Sequence, residues 1–129
     1  MLKLNKVHHI AIICSDYERS KKFYTEILGF IIINETFREE RNSYKLDLSL
    51  NGNYLIELFS FPNSPARVSR PEACGLRHLA FEVDDIQQTC SYCMNKGLTI
   101  EEIRTDEITG KRFTFSADPD GLPIEFYEK

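Results

Sequence analysis

The sequence predicts an α+β protein built from two copies of one module, a strand, a helix and then three strands. Three observations predict it. The first is an internal repeat: HHIAIIC (residues 8–14) returns as RHLAFEV (77–83), and NYLIELF (53–59) returns as GLPIEFY (121–127). Superposed, His9 falls on His78, Ala11 on Ala80, Asp16 on Asp85, Gly29 on Gly97 and Glu57 on Glu125. The offset is 69 residues at the histidines and 68 at the glutamates. The second is period-two alternation. In residues 75–83 it places His78, Ala80 and Glu82 on one face and Leu79, Phe81 and Val83 on the other. The third is a cap, helix and glycine phrase after each first strand.

The first module covers residues 5–61. After its first strand, SDYERSKKFYTEILGF reads as a helix, with Ser15 and Glu18 as a capping box and Gly29 as the stop. Tyr17, Ser20, Tyr24, Ile27 and Leu28 form its largely apolar stripe, which is more often core than a cofactor contact. Phe30–Glu35 is β-branched and reads as a strand. Arg38, Arg41 and Lys45 read as a solvated charged edge, since charges usually face water, with contact to an anionic substrate as the alternative. KLDLSL and NYLIELFSF alternate as two strands around Asn51-Gly52, a strong hairpin signal. On the second of these, Leu55, Glu57 and Phe59 share one face and Tyr54, Ile56 and Leu58 the other. A glutamate amid so apolar a strand is costly unless something neutralises it. Residues 62–74, punctuated by Pro62, Pro65 and Pro71, form a linker. The second module, 75–128, repeats the plan. Asp85 and Gln88 cap a helix to Lys96, Gly97 ends it, LTIEEIR and RFTFSA are strands, and the turn at 118–121 leads into LPIEFYE.

Bulk properties exclude several function classes. Sixteen basic against 20 acidic side chains give net −4, which argues against a nucleic-acid partner. No apolar run approaches the roughly 20 residues needed to span a bilayer, and MLKLNKVHH lacks a secretory apolar region, so a cytoplasmic protein is expected with no membrane partner. The four cysteines then read as reduced thiols. Cys90 and Cys93 form a C-x-x-C inside a helix with no second pair, a poor redox or zinc motif; Cys74 precedes the His78 strand, and whether it lines a pocket is left open by the sequence.

The remaining pattern is the chemical one. One histidine or glutamate in a strand is more often structural than a metal ligand. Two of each at equivalent repeat positions are another matter: His9, Glu57, His78 and Glu125 make a donor set suited to one divalent ion, Ni, Zn, Co, Mn or Fe, with open positions for a substrate. His8 faces away from His9 by alternation and reads as structural.

The phrases HHIAI, FYTEILGF, LIELF, LRHLAF and DPDGLPIEFYE resemble the vicinal oxygen chelate superfamily, the glyoxalase/bleomycin-resistance/extradiol-dioxygenase group, over essentially the full length. The resemblance implies paired βαβββ modules forming a half-open barrel around a central metal site, in one domain over 1–129. It implies His9, Glu57, His78 and Glu125 as ligands. It also implies a homodimer, in which modules of different chains complete each site in many members. Within the group the chain is most similar to glyoxalase I, the lactoylglutathione lyase. That implies a lyase acting on a small α-hydroxy carbonyl or hemithioacetal through a metal-stabilised enediolate, with Glu125 as base and Glu57 as its symmetric partner. Where glyoxalase I carries an arginine that helps bind glutathione, this chain has Ile13; Arg77, Lys111 and Arg112 are the candidate substrate anion contacts. The alternatives are an extradiol dioxygenase or a fosfomycin-resistance-type enzyme, each with two histidines and one carboxylate, or a small-molecule-sequestering resistance protein, which generally lacks the ligands.

Overall fold

The computed structural model describes all 129 residues. The chain divides into two compact units, 1–66 and 67–129, each containing one strand, one helix and three further strands.

In the first unit, β1 (Ile10–Cys14) leads to α1 (Tyr17–Lys22), which continues as a π-helical turn, Phe23–Ile27. β2 (Ile31–Arg38), β3 (Ser43–Leu50) and β4 (Asn53–Ser60) follow. The sheet order is β1-β4-β3-β2, with β1 parallel to β4 and the other pairs antiparallel. Alternation buries Leu46 and Leu48 of β3 with Ile56 and Leu58 of β4, and Tyr24 joins this core. The α1 cap differs from the expected Ser15: Asp16 adopts the extended backbone and accepts a 3.2 Å hydrogen bond from Arg19 N. Gly29, at φ 83°, ends the helical run because the left-handed backbone suits glycine.

In the second unit, β5 (Leu79–Val83) leads to α2 (Ile86–Asn95), and β6 (Arg104–Thr105), β7 (Arg112–Ala117) and β8 (Pro123–Glu128) complete a sheet of order β5-β8-β7-β6. Asp85 caps α2 through Gln88 N at 3.0 Å, as expected. Of the expected LTIEEIR strand only Arg104 enters the ladder, together with Thr105 just beyond it. The residues before them are tied to β7 by two hydroxyls and one backbone bond: Thr114 donates to Glu101 O at 2.7 Å, Ser116 to Thr99 O at 2.9 Å, and Glu101 N to Phe115 O at 2.9 Å. No helix is long and apolar enough to cross a membrane.

Candidate functional site

Each unit brings its histidine to its glutamate. In the first, β1 lies parallel to β4 with Ala11 opposite Glu57; in the second, β5 lies parallel to β8 with Ala80 opposite Glu125. A methyl group opposite each carboxylate leaves room for an imidazole from two residues earlier. His9 Nε2 stands 3.7 Å from Glu57 Oε1, and His78 Nε2 stands 3.0 Å from Glu125 Oε2. The two settings are alike in exposure, 35% and 14% for the first pair and 30% and 12% for the second. Both histidines stand one residue ahead of their strands, not within them as alternation predicts. The reason is the neighbouring strand: continuing the ladder, His9 falls opposite the bulged Leu55, and His78 opposite Pro123, which has no N–H to give.

The units differ around the glutamate. In the first, Glu57 Oε2 accepts a 3.1 Å hydrogen bond from Tyr54 Oη and lies 3.5 Å from Lys45 Nζ. Tyr54 also donates to Asp47 Oδ1 at 2.8 Å, and Lys45 holds both Asp47 oxygens at 2.9 Å. Lys45 therefore does not belong to a solvated edge. Tyr54 is also not on the Ile56 face: Leu48 pairs with Ile56 but Ser49 with Tyr54, so Leu55 is an extra residue that re-aims the tyrosine toward Glu57. Its ring stacks on His9, 5.3 Å between centroids at 11°. Burial first, then the two carboxylates, push its phenol well above the ordinary tyrosine range, so it stays a donor. The Asp47 hydrogen bond likewise raises the Lys45 ammonium. His8 does not face away: His8 Nδ1 and His9 Nδ1 share a 2.8 Å hydrogen bond, which fixes the ring that turns Nε2 to Glu57.

In the second unit Phe113 and Phe115 stand where Lys45 and Asp47 do, and buried Leu122 where Tyr54 does. Phe115 pairs with Glu125 across the ladder and meets His78 edge-on at 5.2 Å. His78 and Phe115 also line a cavity of about 690 Å³, whose wall includes Arg67, Arg70, Arg77 and Arg104.

The architecture has counterparts among known proteins. The model of the Glyoxalase/Bleomycin resistance protein/Dioxygenase superfamily matches residues 6–126. The chain belongs to that superfamily. It is 64% identical over 126 residues to the protein YwkD of Bacillus subtilis (strain 168), covering 98% of each. Its structure is similar to that of a glyoxalase family protein from Enterococcus faecalis, with TM-score 0.89 and 47% identity, covering 95% of this chain and 97% of that one. More distantly, it is 28% identical over 129 residues to a lactoylglutathione lyase of Haemophilus influenzae, covering 95% of this chain and 92% of the relative.

Members of this superfamily typically bind a divalent metal, and the donor geometry fits one. Ligand atoms bonded at about 2.1 Å lie about 3.0 Å apart at right angles and about 3.6 Å apart at 120°, close to the observed separations of 3.0 and 3.7 Å. Within either unit no third His, Cys, Asp or Glu completes a metal-binding group, so each unit supplies a pair. Glu57 divides its oxygens, Oε1 toward His9 and Oε2 toward Tyr54, as a ligand with an outer-shell anchor does. Of the expected anion contacts, only Arg77 lines the second-unit cavity. Arg112 is committed to Glu128 at 2.7 and 2.9 Å, and Lys111 lies in the polar turn after Asp106. Ile13 is 55% exposed on β1. Cys90 and Cys93 are buried in α2, where burial raises both thiols, while Cys74 is exposed at the cavity. Lys45, Asp47 and Tyr54 are the site residues that sequence reasoning missed.

Proposed function

We propose that the two His–Glu pairs are halves of one divalent-metal site, and that the protein is a metal-dependent lyase or isomerase of glyoxalase I type. The observation that carries this reading is the identity of the pair in both units: the same residue types, ladder register and exposure. His9, Glu57, His78 and Glu125 would hold the ion, which would be Ni, Zn, Co, Mn or Fe. When bound, it supplies the Lewis acidity that polarises an α-hydroxy carbonyl or hemithioacetal, acidifies its C–H and stabilises the enediolate.

The chain's own residues divide the remaining work. Tyr54 and Lys45 hold Glu57 in place, which suits a fixed ligand. Glu125 faces Phe115 and has no such anchor, which suits a carboxylate that swings to take the carbon-bound proton and returns it to the adjoining carbon. Four donors favour this reading over an extradiol dioxygenase or an epoxide-opening enzyme, both of which need one carboxylate. Ile13 in place of an arginine favours a thiol other than glutathione, or a substrate with no thiol. A homodimer is part of the proposal.

The test is turnover. Protein loaded with each of the five metals is assayed with hemithioacetals of methylglyoxal and several thiols, and with fosfomycin and catechols. Proton transfer on at least one hemithioacetal, lost in Glu125→Gln, is the expected result. Turnover of catechol or fosfomycin alone would replace the proposal.

A further inference from the structure

We propose that the arginine-lined cavity beside His78 receives an oxyanion group, carboxylate or phosphate, at the end of the substrate remote from the reacting carbons. This rests on the reading of His78 and Glu125 as site residues and deepens it by naming the substrate class: a 2-hydroxy carbonyl compound with a terminal anion.

Charge comes first. Four arginines and two glutamates, Glu72 and Glu101, line the cavity, a net charge of +2 in a chain whose total is −4. A local reversal of sign in an acidic protein attracts anions to one place. The arginines then differ in what holds them. Arg67 is pinned to the scaffold, donating to Leu76 O at 2.6 Å, Arg77 O at 3.1 Å and Ser69 Oγ at 2.9 Å. Arg104 is pinned as well, over the Phe113 and Phe115 rings at 5.2 and 5.6 Å and against Glu101 at 3.2 Å. These two make a fixed wall. Arg77 has a looser partner, Glu72 at 3.7 Å, with both side chains more than half exposed. Arg70 also lines the cavity and is exposed. Arg70 and Arg77 thus keep their guanidinium forks available, and that planar fork matches two oxygens of a carboxylate or phosphate. His78 at the same wall ties this anion end to the reacting end. The first unit's half-site has a lysine committed to Asp47 instead, so this specificity belongs to the second unit.

Three 2-hydroxy acids test it, since they differ only at the third carbon: lactate (no charge there), malate (carboxylate) and 3-phosphoglycerate (phosphate). Their binding is measured by calorimetry on metal-loaded and metal-free protein at low and high ionic strength. Malate or 3-phosphoglycerate is expected to bind about tenfold or more tightly than lactate. That preference is expected to weaken with salt, to persist without metal, and to disappear in Arg70→Gln/Arg77→Gln. Which of malate and 3-phosphoglycerate binds better identifies the anion. The proposal is overturned if lactate binds as well as both, if neither malate nor 3-phosphoglycerate binds at low ionic strength, or if the preference survives the double substitution. If the preference is present but no hemithioacetal is turned over, the lyase reading falls and the anion site stands.

Discussion

Glu57 and Glu125 occupy the same register position in their units and keep different company. Each has an imidazole, but Glu57 adds a tyrosine, a lysine and, through them, an aspartate, where Glu125 adds a phenyl ring. On the proposed division of labour the two substitutions give different failures. Glu57→Gln is expected to lose metal affinity, whereas Glu125→Gln retains measurable metal while turnover falls by about 10²–10⁴. Tyr54→Phe keeps the ring on His9 and removes the hydroxyl from Glu57. It is expected to cost about 10–100-fold in metal affinity or activity, read by competition with a chromogenic chelator. An unchanged affinity would make Tyr54 a packing residue only. The four proposed ligands were legible because the repeat selects them from residues that are individually unremarkable. Tyr54 was not, because simple alternation assigns it to the opposite face.

At the scale of elements, that misassignment has a traceable cause. Asn51 and Gly52 form the tight turn with φ 50° and 80°, and Leu50 pairs with Asn53. Carried on without interruption, this register sets Leu46 opposite Glu57 and Asp47 opposite Ile56, a charge against an apolar residue twice over. One extra residue at Leu55 cures both: Leu46 meets Leu58 and Asp47 meets Glu57. The conflict was present in the sequence as a signal for a bulge. The shortened strand near 98–105 was less legible, because hydroxyls of Thr114 and Ser116 replace most of the ladder there. Thr114 is fully buried, so Thr114→Val is expected to destabilise by about 1 kcal/mol, measured by urea unfolding. A second element-scale prediction concerns α1 and β2. Lys21 Nζ lies 2.7 Å from Glu35 Oε2, and Tyr17 donates to the same oxygen. The Lys21 hydrogen bond, then that from Tyr17, lowers the Glu35 carboxyl below its ordinary value. A depressed folded-state value means the contribution is present above the ordinary glutamate range, about 4.3, and is lost as pH falls through the lower folded value. The Tm gap between wild type and Glu35→Gln should therefore be constant near neutrality and close below about pH 4. A gap that widens in acid would contradict this.

For the whole molecule, duplication is the organising fact. Two units of about sixty residues repeat a βαβββ plan, and each offers one imidazole and one carboxylate. A half-site of two donors holds a divalent ion weakly; on the proposal, two half-sites together hold it well and leave coordination positions open. The proposed homodimer with sites built between chains makes a further prediction. His9→Ala and His78→Ala chains, each inactive alone, should regain roughly a quarter of wild-type turnover when unfolded and refolded together one to one, because half the dimers are mixed and each has one intact site. No recovery would show that each chain completes its own site. The most direct measurement is metal stoichiometry by mass spectrometry of purified, metal-saturated protein, with affinities for wild type and the single alanine variants at His9, Glu57, His78 and Glu125. One tightly held divalent ion per chain, lost or severely weakened in the His9, Glu57 and His78 variants and weakened less in the Glu125 variant, is the predicted result. Two ions per chain, or full affinity after His78→Ala, would contradict it.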